Sequence, residues 1–398
     1  MHNDYLEKYA AVLEWGLDAA RGRAYKPYET VLIRFELSAL PLAEALARRL
    51  LPRRLHIISR LIAPPGMEKD FYMLSDERQR AYVAAGEREF YNALAGNAFI
   101  GAPDSLTHLK DVDPKRIAEA ARARKAIREI QEAREAAGKF GWTLAILPTQ
   151  ELANRAGCSL GVYTKEIVRA CFLDEADPVA KWKEVHAEAQ EIKRWLTSLQ
   201  AETVRIETQN MDLTITIGRQ RRFLGVSGHN IPSFEIFTSP DWRNARGTWY
   251  ANQPSYRSGN LVEGIRLEFA RGRARLVGAR QGEDFTQQML MMDRGAAQIG
   301  EFSLTDRRFS RISRFMAETL YDENYGGAEG NSHIALGNAY IDTFTGKQSA
   351  LTKRDRAALG FNESALHWDL VNTEAKTVHA RLPGGETRLI YEHGSFTL

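Results

Sequence analysis

The residues best suited to chemistry stand in four short segments of the C-terminal half, among glycine, asparagine and proline. Two of these segments each place one acid in an apolar run: Glu235 between Phe234 and Ile236, and Glu301 before Phe302. Burying an unpaired charge is costly, so such a carboxylate points either to solvent or to a compensating cation. Taken alone, each of these two segments leaves both alternatives open.

The third segment combines an acid, an imidazole and a phenol. Glu323 follows Asp322, and after a glycine-rich insert come His333 and Tyr340. Small residues around them, such as Gly337, let the backbone and a ligand approach each other closely.

The fourth segment contains His367 and Asp369, two positions apart. In an extended strand they project from the same face, about 6 to 7 Å apart along the backbone. One imidazole and one carboxylate can then reach the same cation or adjacent cations. An isolated pair of this kind is often only a surface pair, so the segment alone leaves that alternative open.

Together these segments offer carboxylates and imidazoles without thiolates. Such donors suit zinc, cobalt, manganese or magnesium, and carboxylates that share a site need cations to offset their repulsion. Two ions about 3.5 to 4 Å apart usually share a bridging carboxylate and a bridging water. We therefore predict a site for two divalent metal ions, of open identity, with these ligands: Glu235, Glu301, Glu323, His333, His367 and Asp369.

Composition argues against several classes of partner. The chain of 398 residues carries 54 basic and 51 acidic residues, a formal charge of +3, which argues against nucleic acid or an anionic membrane as a partner. The basic stretch from Arg116 to Arg128 has the spacing of a solvated helix face. Cys158 and Cys171 form no metal-binding pattern and favour a reduced compartment. The polar residues Met1 to Tyr5 do not resemble a signal peptide, so we expect a cytoplasmic protein.

The pattern of elements changes near residue 200, and we predict two domains, 1–200 and 201–398. In the first, helices separate short apolar strands such as Val31–Phe35, which predicts an α/β domain with a mostly parallel sheet flanked by helices. Long helices are predicted over 76–94 and 114–137. In the second, period-two alternation predicts an α+β domain rich in antiparallel strands that carries the metal site.

At the four segments the sequence resembles the aminopeptidase T family of metallopeptidases, which includes the aminopeptidase S enzymes. The family has an asparagine-proline turn before a glutamate and Phe-Thr, matched here by Asn230 to Thr238, and a Gly-Glu strand, matched by Gly300-Glu301. Its Asp-Glu-Asn, its Ser-His-(Ile/Leu)-Ala and its Asn-x-Ser-x-x-His-x-Asp are also present, in family order. Four motifs in order are specific.

The resemblance implies a metal-dependent aminopeptidase that acts on peptides, as a homodimer. It implies Glu301 as the bridging carboxylate between two metals, Glu323 as a ligand or general base, and Tyr340 as a hydrogen-bond donor to the developing oxyanion. The other ligands that it implies are Glu235, His333, His367 and Asp369.

Two other functions stay open at this stage. Relatives of the same fold resemble ring-acting aminohydrolases and dioxygenases, which use one metal and lack some of these ligands. A non-catalytic protein with a structural cation is the other alternative. Departures from the family pattern at Phe234, His229 and the Tyr325–Gly330 insert bear on substrate range more than on metal binding.

Overall fold

A computed structural model describes residues 1–398, with every side chain except that of Ser349. The helices are α1 (Asn3–Arg21), α2 (Leu40–Leu50), α3 (Pro65–Leu74), α4 (Glu77–Arg80), α5 (Glu87–Ala93), α6 (Pro114–Ala123), α7 (Lys125–Ala136), α8 (Gln150–Arg155), α9 (Leu160–Ala170), α10 (Pro178–Ser198), α11 (Glu283–Leu290), α12 (Thr319–Asp322) and α13 (Lys353–Ala358).

The strands are β1 (Thr30–Phe35), β2 (His56–Leu61), β3 (Leu94–Gly101), β4 (Gly141–Ile146), β5 (Thr203–Glu207), β6 (Asp212–Thr216), β7 (Asn230–Ile231), β8 (Glu235–Thr238), β9 (Asp241–Ala251), β10 (Ser255–Arg257), β11 (Asn260–Val262), β12 (Ile265–Ala270), β13 (Arg273–Gly278), β14 (Ile299–Thr305), β15 (Asn331–Gly337), β16 (His367–Asn372), β17 (Thr377–Arg381), β18 (Thr387–Glu392) and β19 (Ser395–Phe396).

The chain forms two compact units. One comprises Met1–Glu184 with Ser227–Ser233, and the other comprises Val185–Val226 with Phe234–Leu398. Helix α10 contributes residues to both units. The domain limits 1–200 and 201–398 stay a prediction.

The first unit is built on a parallel sheet in the order β2-β1-β3-β4-β7. Val31, Leu32 and Ile33 in the centre of β1 are fully buried, as expected for a strand between two neighbours with helices packed on the sheet. The predicted parallel sheet with flanking helices is confirmed.

The two long helices predicted in this unit are wrong in extent. The stretch 76–94 contains two short helices, α4 and α5, and its last residue, Leu94, already opens β3. Gly86 precedes α5 with φ +80°, a left-handed conformation that glycine adopts readily and that ends a right-handed helix. The stretch 114–137 is likewise divided at Arg124 into α6 and α7.

The second unit contains two larger antiparallel sheets. One has eight strands, in the order β13-β12-β9-β6-β5-β17-β18-β19, and the other has four, in the order β16-β15-β14-β8. In β12 buried and exposed residues alternate, whereas every residue of β14 and β15 is buried. The predicted domain rich in antiparallel strands is confirmed, and all the candidate ligands except Glu323 lie on its four-stranded sheet. None of the helices in the described part of the chain is both long and apolar enough to span a membrane.

An irregularity in β14 sets the position of Glu301. The pairing of β14 with β15 shifts between Ile299 and Glu301, at Gly300. A Cβ atom on Gly300 would lie 2.2 Å from the carbonyl oxygen of Asn338 and 2.4 Å from that of Gly337. Because both neighbours are backbone atoms, the glycine is required for this close approach.

We predict that Gly300→Ala lowers the free energy of unfolding by about 3 kcal/mol, since the backbone of two strands must shift to admit a methyl group. Denaturant unfolding measures this loss. Gly66→Ala is the matched control, because a Cβ atom there meets nothing within 4 Å. That control should raise the free energy of unfolding by no more than about 1 kcal/mol, because alanine favours helix over glycine. Equal effects of the two substitutions would contradict this account of the bulge.

Candidate metal centre

The register of the four-stranded sheet gathers the candidate ligands on one face. Residues two apart along a strand share a face, and so do residues directly opposite each other on neighbouring strands. Ala335 of β15 lies between Glu301 of β14 and Asp369 of β16, and Gly337 pairs with His367. On the other side of β14, Thr305 pairs with Glu235 of β8. The predicted same-face placement of His367 and Asp369 is therefore confirmed, and five candidates share that face: Glu235, Glu301, His333, His367 and Asp369.

His333 lies at the centre of the cluster. Its Nε2 atom is 3.1 Å from Glu301 Oε1, 3.4 Å from Glu235 Oε2 and 3.9 Å from Asp369 Oδ1. The ligand atoms of Glu235, Glu301 and His333 all lie within 4.8 Å of one another, and these three residues are buried. Donor atoms this close together can reach a common cation.

His367 brings a second imidazole to the other side of the acids. Its Nε2 atom is 3.4 Å from Asp369 Oδ1 and 3.8 Å from Glu301 Oε2. Its Nδ1 atom is 3.0 Å from the carbonyl oxygen of Asn338, which can only accept a hydrogen bond. The proton of the neutral ring is therefore held on Nδ1, and the lone pair of Nε2 points toward the acids.

The cluster is a strongly negative site inside the protein. Burial raises the pKa of Glu235 to about 8, and the charge of Glu301 adds to this effect. Burial alone would lower the pKa of His333, but its hydrogen bond with Glu301 and the charges of Asp369 and Glu235 raise it to about 9. Burial would raise the pKa of Asp369, but the two imidazoles hold it at about 2. A site that draws protons this strongly onto imidazole also attracts divalent cations.

Glu323 and Tyr340 come from outside the sheet. Glu323 follows α12 and is only 7% exposed; burial raises its pKa well above the usual range, and the charges of Glu235 and Asp369 add to the effect. The hydroxyl of Tyr340 lies 3.4 Å from His367 Nε2, and its ring packs edge-on against that imidazole. Tyr340 is 40% exposed, so this edge of the cluster is open to solvent.

The donor set fits divalent metal ions. Three carboxylates and two imidazoles converge without a thiolate, and Glu301 directs one oxygen toward each imidazole. Nitrogen and oxygen donors of this kind suit zinc, cobalt, manganese or magnesium.

One structural partner of the cluster was missed by sequence reasoning. The side-chain oxygen of Asn324, which is fully buried, accepts hydrogen bonds from the backbone N–H groups of Phe234, at 2.5 Å, and Glu235, at 3.1 Å. Its side-chain nitrogen donates to the carbonyl of Leu320 at 2.9 Å and lies 3.5 Å from Glu323 Oε1. Asn324 thus ties the strand that carries one acid to the turn that carries another.

The two departures from the family pattern that precede Glu235 do not present free ligand atoms. The side chain of Phe234 is fully buried. His229, in the first unit, has Nδ1 at 2.7 Å from Ser227 Oγ and Nε2 at 2.7 Å from Glu135 Oε1, and its ring lies against Trp142.

The fold and the cluster together define a candidate metalloenzyme whose centre is built on an antiparallel sheet. The sequence model of the thermophilic metalloprotease family, M29, matches residues 2–396. The chain therefore belongs to the thermophilic metalloprotease (M29) family, and the resemblance inferred from the four segments is confirmed.

Several relatives are aminopeptidases. Aminopeptidase T of Thermus aquaticus is 30% identical over 65% of this chain, and the match spans 63% of that enzyme's length. Aminopeptidase AmpS of Bacillus subtilis is 26% identical over 80% of this chain and 81% of its own. The solved structure of wild-type AmpT from Thermus thermophilus superposes with a TM-score of 0.78 and 22% identity, covering 98% of this chain and 99% of that one. At that identity the superposition shows a shared fold.

We predict that Asn324→Ala weakens both folding and metal binding. The substitution leaves two buried N–H groups without an acceptor, which costs about 1 to 3 kcal/mol for each group, and it releases the segment that carries Glu235. We expect metal affinity, measured by calorimetric titration, to fall about 10- to 100-fold. Asn154→Ala, at an exposed position in α8, is the control and should leave both quantities near wild type. Unchanged metal affinity in Asn324→Ala would show that this asparagine does not position the site.

Proposed function

We propose that this protein is a metal-dependent aminopeptidase that removes N-terminal residues from peptides with the help of two divalent cations. One observation carries the proposal: three carboxylates and two imidazoles converge on one buried sheet face, beside a further acid, Glu323, and a phenol, Tyr340. A purely structural ion does not need the acid and the phenol, whereas hydrolysis of a peptide bond uses both. Membership of a metalloprotease family and the aminopeptidases among its relatives support this proposal.

Five side chains would hold the cations: Glu235, Glu301, His333, His367 and Asp369. The position of Glu301 favours a bridging role, because its two oxygens face different imidazoles: Oε1 lies 3.1 Å from His333 Nε2 and Oε2 lies 3.8 Å from His367 Nε2. When bound, such cations polarise the scissile carbonyl and lower the pKa of water.

Glu323 and Tyr340 would then act on the reacting atoms. Buried beside the cluster, Glu323 is placed either to complete the ligand set or to take a proton from water and pass it to the leaving amine. The Tyr340 hydroxyl, at the open edge, is placed to donate a hydrogen bond to the carbonyl oxygen as negative charge develops on it.

The cations would also account for a preference for N-termini. A free α-amino group, once it has lost its proton, can donate its electron pair to one of the cations, whereas the electron pair of an acetylated nitrogen is delocalised into the amide. Exopeptidase specificity then follows from where the substrate's amine is held.

We predict that chelation abolishes hydrolysis of leucine p-nitroanilide, and that adding back zinc, cobalt, manganese or magnesium restores it with at least one of these ions. The N-acetylated anilide should be hydrolysed at least roughly 10²-fold more slowly, because it lacks the free amine by which the site holds the substrate. Release of nitroaniline measures both. Elemental analysis of gently purified protein tests whether two ions bind per chain. No release with any of the four metals would refute the peptidase proposal and favour a ring-acting enzyme.

We predict that Glu323→Gln lowers kcat by about 10² to 10⁴, as expected for loss of a general acid or base. Tyr340→Phe should lower kcat by about 10² to 10³, as expected for loss of an oxyanion donor. Metal content measured in parallel separates the two roles of Glu323, since only loss of a ligand releases an ion. The control is Tyr28→Phe, at a residue that is 65% exposed in the first unit. If both site variants kept full activity and full metal content, neither side chain would act in the reaction. A non-catalytic metal-binding role would be favoured if wild type and both variants were equally inactive at full metal content.

Two further features belong to the proposal. The homodimer implied by the family resemblance stays a prediction, and so does a cytoplasmic location. Peptides are the proposed substrates, and the natural metal is one of the four ions named above.

A further inference from the structure

The outer edge of the metal-bearing sheet is covered by the segment 252–257. Strand β16 is the end strand of that sheet. Asn252 exchanges two hydrogen bonds with Thr373, at 2.9 and 3.0 Å, and the N–H of Gln253 donates to the carbonyl of Val371 at 3.4 Å. Further along, the Trp368 indole N–H donates to Ser255 Oγ at 3.3 Å. The segment therefore runs antiparallel to β16, toward the end of β16 that carries His367 and Asp369.

This course brings Arg257 beside the end of β16 that carries the candidate ligands. Its guanidinium carbon lies 5.7 Å from the centroid of the Trp368 ring. Burial lowers the pKa of Arg257, and the charge of Asp369 opposes this effect without a hydrogen bond between the two side chains. An arginine stays protonated under such conditions. Arg257 is thus a cation held at the edge of the proposed active site.

Arg257 differs in its bonding from the more buried arginines. Arg21 is joined to Glu29 by two hydrogen bonds of 2.5 and 2.7 Å, and Arg221 donates three hydrogen bonds to backbone carbonyl oxygens. Among the described residues, no carboxylate lies within ion-pairing distance of Arg257. Burying a charge without a partner is costly, so a half-buried arginine in this state is suited to bind an anion supplied from outside.

We propose that Arg257 binds a carboxylate of the substrate on the far side of the scissile bond, which makes short peptides with a free C-terminus preferred substrates. The inference rests on the proposed aminopeptidase function. The metal cluster would hold the amino end of the peptide, and Arg257 offers a positive charge to its carboxylate end. The planar guanidinium fork matches a carboxylate with two parallel hydrogen bonds. An acidic side chain on the residue after the scissile bond would present Arg257 with a carboxylate of the same kind.

The test compares substrates that differ only in the carboxylate. Values of kcat/KM are measured for Leu-Ala against Leu-Ala-amide, and for Leu-Glu-amide against Leu-Gln-amide, with wild type, Arg257→Met and Arg257→Lys. We expect wild type to prefer the charged member of at least one pair by about 10-fold or more, the range for a charge-assisted hydrogen bond. Arg257→Met should bring that ratio close to one, and Arg257→Lys should keep part of it. The pair that responds identifies the source of the carboxylate.

A matched control is Arg246→Met, at an exposed position in β9, which should keep the wild-type ratios. Because each ratio is internal to one protein, a partly unfolded variant does not mimic the effect. A wild-type ratio near one for both pairs would overturn the inference, and so would a preference that survives in Arg257→Met. Failure of wild type to hydrolyse any peptide or anilide would instead refute the aminopeptidase proposal itself.

Discussion

Mutual repulsion among buried carboxylates is the constraint on which the rest of the second unit depends. Glu235, Glu301 and Asp369 all approach the Nε2 atom of His333 within 4 Å, and Glu323 lies close enough to share their field. In a low-dielectric interior this arrangement is unfavourable unless positive charge enters it. The imidazoles supply part of that charge. A divalent cation would supply more, so metal binding and the stability of this region are expected to be coupled.

Holding such groups together requires a rigid frame. Strands β14 and β15 are buried along their full length, and their neighbours β8 and β16 fix the remaining ligands by register. The frame is completed by backbone contacts that tolerate little change, such as the close approach at Gly300 and the two N–H groups that bind Asn324. The five candidate ligands are thus held by strands, whereas Glu323 and Tyr340, which are proposed to act on the substrate, lie outside the sheet.

Much of the centre could be predicted because its residues conflict with their local sequence. Glu235 and Glu301 are charged residues in apolar strands, and His367 and Asp369 have the spacing that puts them on one face. The parallel sheet of the first unit and the antiparallel strands of the second also followed from local periodicity, whereas the order of the strands did not. By contrast, the helix expected over 76–94 was wrong. Alanine-rich and charged residues there favour helix, but α4 ends at Arg80 and the left-handed Gly86 lies just before α5.

Asn324 and Arg257 could not be assigned from sequence for a different reason. Asn324 binds backbone groups 89 and 90 positions away, and Arg257 lies beside the edge of a sheet whose order no local pattern reveals. Neither residue type is unusual in its own segment. Their roles arise from packing between distant parts of the chain, which is the information that a single sequence carries least directly.

The segment 252–257 also covers an edge on which a second chain could pair. An end strand has a row of unsatisfied backbone groups and is a template on which a second chain can add a strand. Here the outer side of β16 is occupied by residues 252–257, and on the opposite side β8 is paired through Phe237 with Leu224 by two backbone hydrogen bonds of 2.8 and 3.0 Å. Both borders of the sheet are therefore occupied by the chain itself. Loosening of the 252–257 segment would expose the backbone groups of β16 next to the candidate metal ligands, and intermolecular β-sheet aggregation would be expected to begin there.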